Sequence, residues 1–219
     1  MKLALFSDTH ATHGRIQIPA ADILIFAGDM THCRTAQDVA AFNNFLKKLP
    51  HPHKIVVAGN HDHLLARDPE KARLLLSNAV YLQDTYVVIG GITIYGSPWQ
   101  PTFNDYACDA FALPRGKLLQ EKWDLIPLGV DILVTHAPPL GILDQDGPVA
   151  HGCSDLAAAV ERVKPSYHVF GHIHSHHGLC RCGATIFINC NVQGEDGALR
   201  PALLLDYETG LLVDPDRAR

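Results

Sequence analysis

Short apolar runs closed by turn residues constrain this chain more than any other feature. Ile23-Leu24-Ile25-Phe26 is apolar on both faces. A strand with alternating character can leave one face in water, but this run must be covered on both sides, as a central strand between other layers is. Residues 2–6, 54–57, 131–134 and 167–170 read as strands of the same kind. Amphipathic stretches lie between them. Residues 35–49 put Val39, Phe42, Phe45, Leu46 and Leu49 on one helical stripe, with Thr35 as the cap. A short helix is expected after Asp68 and Pro69, and another at 115–124. A further helix is expected behind Ser154, carrying Leu156, Val160 and Val163 and stopped by Pro165. Gly90-Gly91 between two β-type runs predicts a hairpin. Residues 97–114 have little periodicity, and the stretch from Leu179 to Asp206 reads as antiparallel strands. Strand–helix alternation early and strands late predict an α/β fold, a mixed-sheet sandwich, as one domain over 1–219.

Composition removes several classes of function. The 219 residues are 47% hydrophobic and 19% charged, the reverse of a disordered chain. A net charge of −5 provides no global positive field for nucleic acid. No apolar run approaches the ~18 residues of a membrane span, and the first residues read as a strand rather than a signal peptide. Six scattered cysteines form no disulfide framework, so a reduced, cytoplasmic setting is expected.

The residues just past the strands carry the chemistry. The first strand ends in Ser7-Asp8-Thr9-His10, the second in Gly28-Asp29, and the third in Gly59-Asn60-His61-Asp62. The strand at 131–134 ends in Thr135-His136, and that at 167–170 in Gly171-His172-Ile173-His174. Singly, each such residue reads as a cap or turn residue. Five strand ends with the same chemistry read better as one site, because α/β sheets build sites at the carboxyl ends of their strands. Asp8 with His10, and His172 with His174, are two apart, which in extended backbone points both side chains the same way. Glycines ahead of the ligand-type residues allow close approach.

Asp8, His10, Asp29, Asn60, His136, His172 and His174 offer seven oxygen and nitrogen donors, too many for one four-coordinate zinc. They suit two divalent ions sharing a carboxylate, with Mn²⁺, Fe or Zn²⁺ as the fitting metals and Mn²⁺ preferred. Two ions ~4 Å apart can clamp a phosphoryl group and acidify a bridging water, whose hydroxide attacks phosphorus in line.

Asp8-x-His10, Gly28-Asp29, Gly59-Asn60-His61-Asp62, His136 and Gly171-His172-x-His174 together resemble the signature of the calcineurin-like metallophosphoesterase superfamily. The resemblance implies a four-layer α/β/β/α sandwich of two mixed β-sheets. It implies that Asp8, His10 and His174 hold one ion, that Asn60, His136 and His172 hold the other, and that Asp29 bridges. It implies that His61 protonates the leaving oxygen or stabilises the transition state, with Asp62 orienting its ring. Residues 96–101 further resemble the small class III branch that acts on cyclic nucleotides. The expected activity is hydrolysis of a small-molecule phosphodiester. The other readings are a phosphomonoesterase or phosphoprotein phosphatase on the same site, and a non-catalytic scaffold with this fold.

Outside the motifs, Trp99 is a candidate for stacking on substrate and equally for covering the sandwich edge. His13, His32 and His63 follow ligand blocks and read as pocket-mouth or surface residues. Asn104 and Asp105 are polar candidates near Trp99. His176, His177, Cys180 and Cys182 form a His/Cys cluster that matches no standard zinc spacing. Cys153 reads as structural, although a helix start can lower a thiol pKa. Oligomeric state is not legible.

Overall fold

The computed structural model describes residues 1–31, 34–102, 109–194 and 196–214. The chain runs through β1 (Lys2–Phe6), β2 (Ile23–Ala27), α1 (Ala36–Lys48), β3 (His53–Val57), α2 (His63–Arg67), α3 (Pro69–Leu75) and β4 (Val80–Tyr81). It continues through β5 (Thr85–Ile89), β6 (Ile92–Ser97), β7 (Gln100–Pro101), β8 (Ala112–Leu113), α4 (Lys117–Trp123) and β9 (Ile132–Thr135). After β10 (Gln145–Asp146) and β11 (Val149–Ala150) come α5 (Ser154–Val163), β12 (Tyr167–Phe170), β13 (Gly178–Cys182) and β14 (Thr185–Asn189). The last strands are β15 (Leu203–Asp206) and β16 (Leu211–Leu212).

Two six-stranded sheets result, ordered β16-β15-β1-β2-β3-β4 and β13-β14-β12-β9-β6-β5. The central strands of each are parallel, with antiparallel strands on one side of the first sheet and on both sides of the second, so both sheets are mixed. Pleating divides each strand between two interfaces. Leu3, Leu5, Ile23 and Ile25 face the other sheet and pack with Ile94, Ile132, Val134, Val169 and Ile188. Ala4, Phe6, Leu24 and Phe26 face outward onto Val39, Phe42 and Leu46 of α1. On the far side, Leu133, Phe170 and Phe187 pack on Leu119 and Trp123 of α4 and on Leu156, Val160 and Val163 of α5. Three cores between four layers make an α/β/β/α sandwich. The both-face burial expected of Ile23–Phe26 follows from its place between α1 and the second sheet.

The helix starts are local chemistry. Thr35 caps α1 in a full capping box with Asp38. Asp68 caps α3, with Pro69 in the first turn. The cap of α5 differs from expectation: Cys153, one residue before Ser154, is the cap, and its Sγ accepts from Leu156 N at 3.4 Å. The last third also differs from a run of antiparallel strands. Thr185–Asn189 is buried throughout and inserts parallel to β12, while β15 crosses to the first sheet beside β1. A strand buried along its whole length needs cover on both faces, and the position next to β12 provides it.

Among the described residues, no helix is long and apolar enough to cross a membrane.

Candidate metal centre

The carboxyl ends of β1, β2, β3, β9 and β12 meet at one end of the sandwich. The chain leaves them in an unusual conformation. Asp8 (φ 56°), His10 (φ 39°), Asp29 (φ 63°) and His172 (φ 69°) are all left-handed. Contrary to the extended backbone expected of the i, i+2 pairs, tight left-handed turns and not strand pleating aim these side chains. Such a backbone costs roughly 1–2 kcal/mol per non-glycine residue and persists only where neighbours fix it. Here the first turn is tied to the second, with Asp8 N donating to Gly28 O (2.8 Å) and His10 N to Asp29 O (3.1 Å).

Glycine makes room for this convergence. A Cβ on Gly28 would strike the His136 ring, and one on Gly171 would strike Ser7 and the Asp8 carboxylate. The close approach expected of the glycines before the ligand-type residues is thus a packing requirement at both positions.

Asp29 is the hub. Its Oδ2 lies 3.4 Å from His136 Nε2, 3.8 Å from His10 Nε2 and 3.8 Å from His61 Nε2. Asp8 Oδ1 lies 3.5 Å from His174 Nε2. On the other side, Asn60 Oδ1 lies 2.9 Å from His136 Nε2 and 3.0 Å from His172 Nδ1. His136 Nδ1 is 2.8 Å from Ala27 O, which can only accept, so Nδ1 carries a proton and Nε2 is turned into the site. The structure thus brings together Asp8, His10, Asp29, Asn60, His61, His136, His172 and His174. Three overlapping groups are close enough to share an ion: Asp8–His10–His174, His10–Asp29–His61 and Asp8–Asp29–His136. His61, read from the sequence as a non-ligand, stands as near the hub as His10.

The electrostatics ask for cations. Asp8, Asp29 and His136 are almost fully buried. Burial opposes ionisation of Asp29, but His136, then His10 and His61, outweigh it and hold the carboxyl far below its usual range. Burial likewise opposes charge on His136, yet Asp29 and Asp8 raise the ring to about 10. A buried pair of carboxylates is kept ionised by a proton lodged where a cation fits. Burial, aided by His136, lowers His172 to about 3, leaving a neutral ring able to ligate. Donor chemistry, the room left by the glycines and the charge balance all fit divalent metal.

Asp62 is fully buried. Its Oδ2 accepts from Gly59 N (2.7 Å) and Asp29 N (2.9 Å), and its Oδ1 has no hydrogen-bond partner among the described residues. Burial, then Asp29, push its carboxyl up to about 7. Through these two bonds Asp62 joins the turns that follow β2 and β3.

The remaining candidates separate. Trp99 Nε1 donates to both oxygens of Asp84 (3.0 and 2.8 Å), its ring packs on Phe111, and Lys122 Nζ sits 4.1 Å from its centroid, which fits covering the edge rather than stacking on substrate. His13 packs its ring on Phe42 and Phe45 of α1. His63 is buried, not a surface residue, and its Nδ1 lies 3.7 Å from Asp109. His32, Asn104 and Asp105 lie outside the described residues. None of His176, His177, Cys180 and Cys182 belongs to the metal-capable groups of the described residues. Burial raises the Cys153 thiol rather than lowering it. Reasoning from the sequence missed Ser7, whose hydroxyl donates to Asp8 Oδ2, and the polar end of β14, Asn189 and Asn191. Extending the strand-end pattern to a sixth strand would have found the two asparagines.

Comparison with known proteins agrees with this architecture. The calcineurin-like phosphoesterase family model matches residues 1–176. The human metallophosphoesterase domain-containing protein 1 is 43% identical, in an alignment covering 93% of this chain and 70% of the relative. Among solved structures, TT1561 of Thermus thermophilus shares the fold at a TM-score of 0.64 and 16% identity, covering 97% of this chain and 96% of that one. The phosphopantetheinyl hydrolase of Mycobacterium tuberculosis does so at a TM-score of 0.60 and 16% identity, with 90% of each chain covered. This chain belongs to the calcineurin-like phosphoesterase family.

Proposed function

We propose that this protein is a metal-dependent phosphodiesterase that hydrolyses small phosphodiesters, cyclic nucleotides among them, in the cytoplasm. The single observation that carries the reading is the convergence of His10, His61 and His136 on Asp29 Oδ2, with Asn60 Oδ1 between His136 and His172. In this reading Asp8, His10 and His174 hold one divalent ion, Asn60, His136 and His172 hold a second, and Asp29 serves both. Mn²⁺ is our first choice, because a mixed oxygen–nitrogen set without thiolate suits it. When bound, two such ions supply the Lewis acidity that polarises a phosphoryl group and makes water acidic enough to attack it.

The protein's own residues do the rest. Burial of Asp8, Asp29 and His136 keeps bulk water off the donors and strengthens every interaction among them. The His10, His61 and His174 side chains are 14%, 19% and 34% exposed, so substrate arrives over this rim. His61 Nε2 faces the same hub as the ligands while its ring stays on the rim that substrate crosses. In this role it gives its proton to the oxygen that leaves phosphorus as the P–O bond breaks. An open rim suits a diester, whose second ester group needs space.

The test is a substrate screen with metal analysis. Protein reconstituted with Mn²⁺ is expected to hold two ions per chain and to hydrolyse bis(4-nitrophenyl) phosphate faster than 4-nitrophenyl phosphate. Faster turnover of the monoester would make it a phosphomonoesterase. Two bound ions with no turnover on any phosphoester would make it a scaffold.

A further inference from the structure

We infer that Arg200 and Asn191, which lie beyond the 1–176 span of the family model, are positioning residues that set the His172–His174 turn and thereby tune the ion held with His174. The inference rests on the reading of His174 as a metal ligand. That turn leaves β12 with His172 in a left-handed conformation, so something must hold it. Side chains from the end of β14 and the segment after it hold three carbonyls in and just past this turn. Ile173 O accepts from Asn189 Nδ2 (3.0 Å) and Asn191 Nδ2 (2.9 Å). His174 O accepts from Arg200 Nη1 (3.2 Å), and His176 O accepts from Asn191 Nδ2. Arg200 Nη1 also donates to Asn191 Oδ1 (3.1 Å), which joins the two contacts into one clamp.

The same segment is anchored to the first sheet. Ser7 N donates to Cys190 O (3.1 Å), Val192 N donates to Ser7 O (3.2 Å), and the Ser7 hydroxyl donates to Asp8. Asn191 therefore stands between Asp8 on one sheet and His174 on the other, and is fully buried there. The separation of these two ligands depends on it. His172 has a separate hold, since its N–H donates to Asp8 Oδ1 and Oδ2 (3.2 and 3.1 Å), and His136 is fixed through Ala27 O. Loss of Arg200 is thus expected to loosen His174 while leaving Asn60, His136 and His172 in place.

Calorimetric titration of the metal-free full chain with Mn²⁺, alongside its melting temperature, tests this. Arg200→Ala is expected to weaken one of the two sites at least tenfold, to leave the other within twofold, and to melt near the wild-type temperature without metal. Arg200→Lys, which keeps a cationic donor nitrogen but not the guanidinium fork, is expected to recover part of the loss. The weakened site must be the one that His174→Ala removes, and adding Arg200→Ala to His174→Ala should change nothing further. Unchanged affinities, or both sites weakened together in step with a lower metal-free melting temperature, would overturn the inference. If His174→Ala leaves both sites intact, the ligand reading itself fails and the inference fails with it.

Discussion

His61 and Asn60 are neighbours in sequence but have different tasks in our proposed reading. Asn60 Oδ1 is held between two imidazole nitrogens at 2.9 and 3.0 Å, a donor position. His61 N donates to Asp29 Oδ1 (2.9 Å) while its ring faces Oδ2, so backbone and side chain address the same carboxylate. His61→Ala is therefore expected to keep both ions and lose roughly 10²–10⁴-fold in turnover, the range of a lost general acid. Metal analysis beside turnover checks this, and loss of an ion in His61→Ala would make His61 a ligand instead. Buried histidines also do other work in this chain. His168 is fully buried, burial lowers its ring to about 3, and its Nε2 lies 2.9 Å from Thr135 Oγ1, so it joins β12 to β9 as a neutral core residue. His51 Nε2 bonds Pro19 O at 2.9 Å. These histidines do hydrogen-bonding and packing work that composition cannot tell from ligation.

Elements with local causes were legible. The apolar stripe of α1 and its Thr35 cap are both written within one segment, and the structure has the capping box at that position. Thr35→Ala is expected to cost about 1 kcal/mol, read from the denaturant midpoint, with no effect on metal binding because α1 lies on the outer layer. The hairpin at Gly90-Gly91 was equally plain, with both glycines at positive φ. Elements with non-local causes were not. The thiol cap of α5 looks like an ordinary buried cysteine until Leu156 N is seen donating to it. The hairpin of β10 and β11 has exposed residues and little apolar pattern to announce it.

At the scale of the whole molecule, the candidate centre is a cross-link. Asp8, Asp29 and Asn60 come from the first sheet, and His136, His172 and His174 from the second. In our reading, ions bound there tie the two sheets together and relieve the repulsion between two buried carboxylates. Binding to the folded state alone stabilises by about 2.7 kcal/mol for a site at a hundred times its Kd. The melting temperature is thus expected to rise with Mn²⁺ concentration, by roughly 2–4 °C per kcal/mol for a chain of this size, and to fall back on addition of EDTA. A melting temperature indifferent to both would speak against ions spanning the two sheets.

The sequence by itself determined the cover that the central strands need on both faces, the starts of α1 and α3 and the residues that gather at the strand ends. Burial on both faces, capping and turn chemistry all act within a few residues, so their pattern survives in one dimension. The tertiary structure alone decided that Asp29 is the hub, that Asp62 joins the turns after β2 and β3, and that four of the candidate donors sit on left-handed backbone. It also decided that β14 lies parallel to β12, which delivers Asn191 to the His172–His174 turn. Each of these depends on contacts between segments far apart in the chain, and a strained turn is stable only because such contacts hold it.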